Sequence, residues 1–181
     1  MSDVFHLTPS ESVRVRSHSA EALEVEGSWG PHGSPPPKHF HPGQDERFEV
    51  LEGRLSTRVE GVERVLSAGD VLEIPRGAVH QMWNSGGEPV RALWRTSPAG
   101  RTADWFAALS GLLESGRVGK DGMPGPLAFG AYLTEYSDVF RLAGPQPVVR
   151  PALALLGLLG RAKGYRPPAA AAGAPGAPTG S

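Results

Sequence analysis

Cysteine is absent from the sequence. That excludes disulfides, thiolate metal ligands and a cysteine nucleophile, so any bound metal must rest on nitrogen and oxygen donors. An excess of charge of one sign is also lacking. Eighteen Lys and Arg stand against nineteen Asp and Glu, a net charge of −1, which gives the chain no overall attraction to nucleic acid or anionic lipid. Long hydrophobic runs are missing too. The longest, "ALALLGLLG" at 152–160, is about half a membrane span. The amino-terminal "MSDVFHLTPSESVRVR" lacks the basic start and apolar stretch of a signal peptide. The expectation is a soluble cytoplasmic protein with neither nucleic-acid nor membrane partners.

Glycine and proline, at 24 and 18 residues, are plentiful and unevenly used. Through residue 97 they punctuate short alternating segments such as "SVRVR", "RFEVLEG", "RLSTRVEG" and "VRALWRT", a pattern that predicts a β sandwich or barrel. After "SPAG" the pattern changes. Trp105, Phe106, Leu109, Leu112 and Leu113 form a helical stripe with Thr102 as its cap. A second helix is predicted over 126–142 from Leu133, Tyr136 and Phe140, and a third after Pro151, which suits a first turn. The resulting division is an arm at 1–9, a β domain at 10–97, a helical extension at 98–165 and an Ala/Pro/Gly tail at 166–181. The tail offers no apolar side chain larger than alanine to bury and is predicted to be disordered.

The chemistry concentrates in two stretches. In "KHFHPGQDERFEVLEG", His39 and His41 are two apart, so on a strand they share a face and offer two nitrogens to one point. After the turn "PGQD", Glu46 can bring a carboxylate to the same place. In "GDVLEIPRGAVHQMWN", two turns precede His80, which makes a third imidazole available. Imidazoles with a carboxylate suit a divalent first-row ion.

Both stretches match motifs. The first reads Gly33, five residues, His39-Phe40-His41, four residues, Glu46, six residues, Gly53. The second reads Gly69, five residues, Pro75-Arg76-Gly77, two residues, His80, three residues, Asn84. On these residues the chain resembles the cupins over about residues 10–97. The resemblance implies an all-β, antiparallel jelly-roll barrel, here carrying a C-terminal α-helical extension. It further implies one divalent metal ion held by His39, His41, Glu46 and His80, and a homodimer. Fe(II), Mn(II), Ni(II), Cu(II) and Zn(II) all accept such donors, and affinity order alone does not choose among them.

His6, His18 and His32 match no motif position and read as surface or structural histidines. Gln44 and Asp45 read as turn residues, as does Asn84, the only asparagine. Arg58, Arg91 and Arg95 read as outward strand positions. Phe48, Val50, Leu55, Val71, Ile74, Met82, Trp83 and Trp94 supply the large apolar side chains of the barrel segment; most read as core packing, and those on the inward face line an apolar pocket above the metal. The stripe of Trp105 and Phe106 reads first as the cover of a sheet face or a dimer contact, with a lid over the barrel mouth as the alternative.

Four donors leave one or two coordination positions open, as a catalytic ion requires. By resemblance the first functional reading is a dioxygenase-like oxygenase of an aromatic or enolic small molecule. The second is a non-redox isomerase or polyketide cyclase, with Glu46 as ligand or catalytic base. The third is a small-molecule-binding cupin without turnover. No helix-turn-helix pattern accompanies the barrel, which weighs against a DNA-binding regulator.

Overall fold

In the computed structural model, residues 4–119 and 122–168 are described. Ten strands precede the helices: β1 (Val4–Thr8), β2 (Glu11–His18), β3 (Leu23–Trp29), β4 (His39–Phe40), β5 (Asp45–Glu52), β6 (Arg54–Val59), β7 (Val62–Ser67), β8 (Val71–Ile74), β9 (His80–Trp83) and β10 (Val90–Ser97). Then come α1 (Thr102–Glu114), α2 (Pro126–Glu135), a short β11 (Arg141–Leu142) and α3 (Gln146–Ala162). One sheet has the order β1-β2-β3-β10-β5-β8 and the other β11-β4-β9-β6-β7, and every pairing is antiparallel. This is the mainly β jelly roll with C-terminal helices that the resemblance implies, and it agrees with the sandwich or barrel predicted from the spacing of turns.

Alternation explains which faces are buried. Leu23, Val25 and Trp29 of β3, Glu46, Phe48 and Val50 of β5, and Val90 and Ala92 of β10 point inward, with exposed or half-exposed residues between them. Trp29, Phe48, Val50, Leu55, Leu66, Ile74, Met82, Val90 and Ala92 form one core between the sheets. A second core joins Val13, Leu23 and Val25 to Trp105, Phe106, Leu112, Ala131, Leu133 and Tyr136 of the helical region. The helices therefore complete the barrel's packing. Of the large apolar side chains of the barrel segment, Val71 is exposed and Trp83 lies under the Arg58 guanidinium on the outer face of β9.

Several boundaries depart from the sequence reading. The amino-terminal arm is a strand: β1 pairs with β2, and its His6 amide donates to Ser110 Oγ of α1 at 3.1 Å. Thr102 opens α1 but does not cap it; Arg101 holds the cap position without a side-chain hydrogen bond. Thr102 instead faces inward, and its hydroxyl accepts from Gln44 Nε2 at 2.7 Å. The second helix stops at Glu135 rather than 142. Its continuation turns so that Arg141 and Leu142 can pair with Phe40 and His39, and an unpaired strand edge outweighs weak local helical periodicity. The third helix begins five residues before Pro151, because Pro147 takes the early position at which a missing N–H costs nothing. Pro151 lies inside the helix. Between α2 and α3 the backbones nearly touch: a Cβ on Gly130 would lie 2.9 Å from the amide nitrogen of Gly157. The tail beyond Pro168 lies outside the described residues.

Candidate metal centre

His39 and His80 are direct Cα partners across β4 and β9, which brings one imidazole from each motif to the same level. His41 follows immediately after β4 and is buried. Its carbonyl accepts the Gly77 amide at 2.9 Å, and Asp45 Oδ1 accepts the Arg76 amide at 2.8 Å. Those two bonds tie the turn of the second motif to the turn of the first. The ring centroids lie 5.4 Å apart for His39 and His41, 4.4 Å for His39 and His80, and 5.2 Å for His41 and His80. One nitrogen from each of the three lies within 4.8 Å of the others, a group able to hold a metal ion.

The other ring nitrogen of each histidine is already engaged. His39 Nδ1 meets the Pro37 carbonyl at 2.9 Å, His41 Nδ1 the Val139 carbonyl at 2.6 Å, and His80 Nδ1 the Ala78 carbonyl at 2.9 Å. A carbonyl only accepts, so each Nδ1 must carry the proton and each Nε2 is left with its lone pair in the neutral ring. Three backbone acceptors thus select one tautomer three times and aim three donor nitrogens inward, the arrangement metal-binding histidines require.

Glu46 enters from β5 in the opposite sheet. Its carboxylate lies 3.3 Å from His41 Nε2 and 3.0 Å from His80 Nε2, and its Oε1 accepts Trp94 Nε1 at 2.8 Å. Despite these distances, His41 Nε2 and Glu46 Oε2 are buried without a hydrogen-bond partner among the described residues. Buried polar atoms are rarely left so. A divalent cation held by both would satisfy them, since imidazole nitrogens and a carboxylate oxygen are donors that a first-row ion accepts. The residues present therefore fit a divalent ion.

The electrostatics agree with that donor set. Burial, with the neighbouring His80 and His41 rings, holds His39 down at about 3, so it is neutral at physiological pH. Burial alone would raise Glu46, but His41, His80 and His39 outweigh it and keep the carboxyl at about 2. Burial pushes His80 down, and the Glu46 carboxylate more than reverses this.

The extension reaches the site, which the sequence reading left open. Phe140 stacks on His39 with centroids 4.3 Å apart and a 14° interplanar angle, Val139 supplies the acceptor for His41, and Trp105 lies 5.4 Å from Phe140. The imidazoles open into a cavity of about 140 Å³ whose walls are almost wholly apolar, including Phe48, Met82 and Trp94 of the barrel. Trp105, Phe106, Leu109 and Leu112 of α1 line it too. The α1 stripe packs on the sheet face of Val13, Leu23 and Val25, the first reading of those residues, and also lines this cavity.

The remaining candidates fall away from the ion site. His6, His18 and His32 are exposed. Asp45 pairs with Arg76 at the surface, Arg91 pairs with Glu26 and Glu52, and Arg58 with Glu63, while Arg95 is exposed. Gln44 is buried and holds the start of α1 by donating to the Pro98 and Ala99 carbonyls. Asn84 is a buried staple: its Nδ2 donates to the Trp29, Gly30 and Glu88 carbonyls and its Oδ1 accepts the Gly86 amide. The residues missed at the site were Val139 and Phe140, hidden in a segment read as helix, and the indole of Trp94 as the partner of Glu46. Strand alternation puts Trp94 and Thr96 on one face, opposite Phe48 and Glu46, and that register could have found the indole.

Comparison with known proteins agrees with this geometry. The family model described as the cupin domain matches residues 27–95. An oxidoreductase of Arthrobotrys oligospora is 35% identical over 77 residues, 42% of this chain and 28% of that protein. The tetracenomycin polyketide synthase protein TcmJ of Streptomyces glaucescens is 32% identical over 91 residues, 50% of this chain and 54% of that protein. The chain thus spans about half or less of these curated relatives. Among solved structures, an RmlC-like cupin from Shewanella frigidimarina superposes with a TM-score of 0.51 at 20% identity, covering 57% of this chain and 89% of the other. Both histidine motifs lie within residues 27–95, the part of the chain that matches the cupin domain and forms the greater part of the antiparallel jelly roll.

Proposed function

We propose that this protein is a mononuclear divalent-metal enzyme that oxygenates a small aromatic or enolic compound inside its barrel, with His39, His41, Glu46 and His80 as metal ligands. The observation that carries the reading is the triple engagement of Nδ1 by backbone carbonyls, which leaves three Nε2 lone pairs at one end of an apolar cavity, with an unpartnered Glu46 oxygen beside His41 and His80. The similarity to a protein named as an oxidoreductase is in keeping with it. A bound divalent ion supplies a Lewis-acidic centre with open positions and, when redox-active, reactivity toward dioxygen.

The protein's own residues do the rest. The backbone carbonyls of Pro37, Ala78 and Val139 hold the rings in place, so little reorganisation accompanies the reaction. Trp94 holds one Glu46 oxygen, which leaves the other free to act as ligand. Trp105, Phe106 and Phe140 exclude water and press a flat substrate toward the imidazoles. A cavity of about 140 Å³ matches the class that admits one benzene ring, about 150 Å³. That favours a single-ring compound over a fused polycycle unless the helical cover moves.

The second reading is non-redox: an ion held by the same residues would supply Lewis acidity toward a substrate carbonyl, the chemistry that an isomerase or cyclase requires. The similarity to a polyketide synthase protein favours it. Oxygen-electrode measurements on untagged protein loaded separately with Fe(II), Mn(II) and Ni(II), with catechol-like substrates, distinguish the two. Substrate-dependent oxygen uptake supports oxygenation. Zinc as the sole native metal, no uptake with any ion, and deuterium exchange beside a substrate carbonyl would replace it with the second reading. Ligand binding without either activity would indicate a binding protein.

A further inference from the structure

The cavity has a second polar feature that neither motif supplies. Glu11 of β2 and Trp29 of β3 both line it, and they are direct Cα partners across the β2–β3 ladder. They lie in the six-stranded sheet, whereas His39 and His80 belong to the five-stranded one. Alternation places Glu11 on the same inward face as Val13, and Trp29 on the same face as Val25 and Gly27.

The indole's position is built into the strand. A Cβ at Gly27 would lie 2.5 Å from Trp29 Cη2 and 2.8 Å from Cζ3, so the ring lies back over its own strand at a residue that lacks a side chain. Trp29 is 5% exposed, and its Nε1 is buried with no hydrogen-bond acceptor among the described residues. Such donors are nearly always paired in folded proteins, and this one borders a cavity. The Glu11 carboxyl lies near enough to the indole N–H that this donor favours its ionised form. Burial pushes that carboxyl up to about 7, and no charged side chain among the described residues offsets it. An acid and an N–H donor thus stand in register at the edge of a mainly apolar cavity, the indole nitrogen without a formed hydrogen bond.

We propose that Glu11 and Trp29 form a recognition subsite for a hydroxyl group on the small molecule in the cavity, the indole N–H donating to the hydroxyl oxygen and the hydroxyl donating to a Glu11 carboxyl oxygen. This rests on the reading of the cavity as the substrate site and narrows the substrate class to small phenols or enols. The hydroxyl is one besides any oxygen that faces the imidazoles. An apolar wall alone discriminates poorly between a hydroxyl and a methyl group, whereas a buried donor and acceptor placed for the hydroxyl reject the methyl analogue strongly.

The test uses the full chain without metal, with phenol and toluene as matched one-ring probes followed by ligand-observed NMR titration. The wild-type protein should bind phenol at least about tenfold more tightly than toluene. Glu11→Met and Trp29→Phe should each bring that ratio to within about threefold while leaving toluene affinity unchanged. Thermal melts establish that each variant is folded, and Glu11→Met, the less disruptive change, decides the matter if Trp29→Phe does not fold. Equal binding of the two probes by the wild type, or a ratio unchanged by Glu11→Met, overturns the subsite. The His39→Ala/His80→Ala double variant separates this from the metal reading. It should keep the phenol preference, and a preference lost there but retained in Glu11→Met would place the hydroxyl at the imidazoles and overturn the subsite alone. Stoichiometric metal uptake by Glu11→Met alongside loss of the preference supports both readings together.

Discussion

Replacing Glu11 by Gln isolates the energetic consequence of putting a carboxyl in an apolar wall. The folded-state value of about 7 against an ordinary 4.5 corresponds to about 3 kcal/mol at about 1.4 kcal/mol per tenfold. Glu11 keeps part of its surface accessible, and screening reduces the expected effect to about 1–2 kcal/mol. The sign follows from which state releases its proton first. Below pH 4.5 the carboxyl is protonated in both states and the cost is absent. Between 4.5 and 7 the unfolded chain ionises while the folded protein does not, so folding becomes progressively less favourable. Above 7 both are ionised and the penalty is constant. Glu11→Gln, uncharged throughout, should therefore be nearly as stable as the wild type at pH 4.5 and about 1–2 kcal/mol more stable at pH 8.5. Urea denaturation of metal-free protein at several pH values measures this directly. A stability difference that does not change with pH, or a variant less stable at pH 8.5 than at 4.5 relative to the wild type, would refute the argument that Glu11 faces a low-dielectric cavity.

Three further substitutions probe the supports of the metal centre and the barrel. Trp94→Phe removes the donor to Glu46 Oε1 and should weaken metal affinity by about 10-fold or more, read by competition with a chromophoric chelator; unchanged affinity would mean that the indole does not orient the carboxylate. Phe140→Ala strips the ring from His39 and opens the cavity, at a cost of about 3 kcal/mol in thermal or chemical unfolding. Asn84→Ala leaves three carbonyl oxygens without their donor and should destabilise by about 2–4 kcal/mol while metal stoichiometry, measured by elemental analysis, stays the same.

The sequence carried the barrel and the donor residues because each depends on short-range rules. Strand alternation and turn residues fix which side chains point inward, and the spacing of His39, His41 and Glu46 across one turn fixes their approach. His80 was legible as a third imidazole, but its pairing opposite His39 is a sheet register, which local pattern does not specify. The extension was harder to read. Leu133, Tyr136 and Phe140 keep helical spacing, yet β4 needed an edge partner, and Arg141 and Leu142 left the helix to provide one. That tertiary demand also carries Val139 and Phe140 to the histidines. Glu11 and Trp29 escaped notice because eighteen residues separate them in sequence, and only the β2–β3 register makes them neighbours.

The central claim is that imidazoles from both motifs, with Glu46, close on one cation. Elemental analysis of untagged protein, dialysed against each candidate divalent ion and freed of excess, tests it most directly. One ion per chain in the wild type and essentially none after His39→Ala/His80→Ala is the predicted result. A folded wild-type protein that retains no ion, or a double variant that retains as much as the wild type, would contradict it.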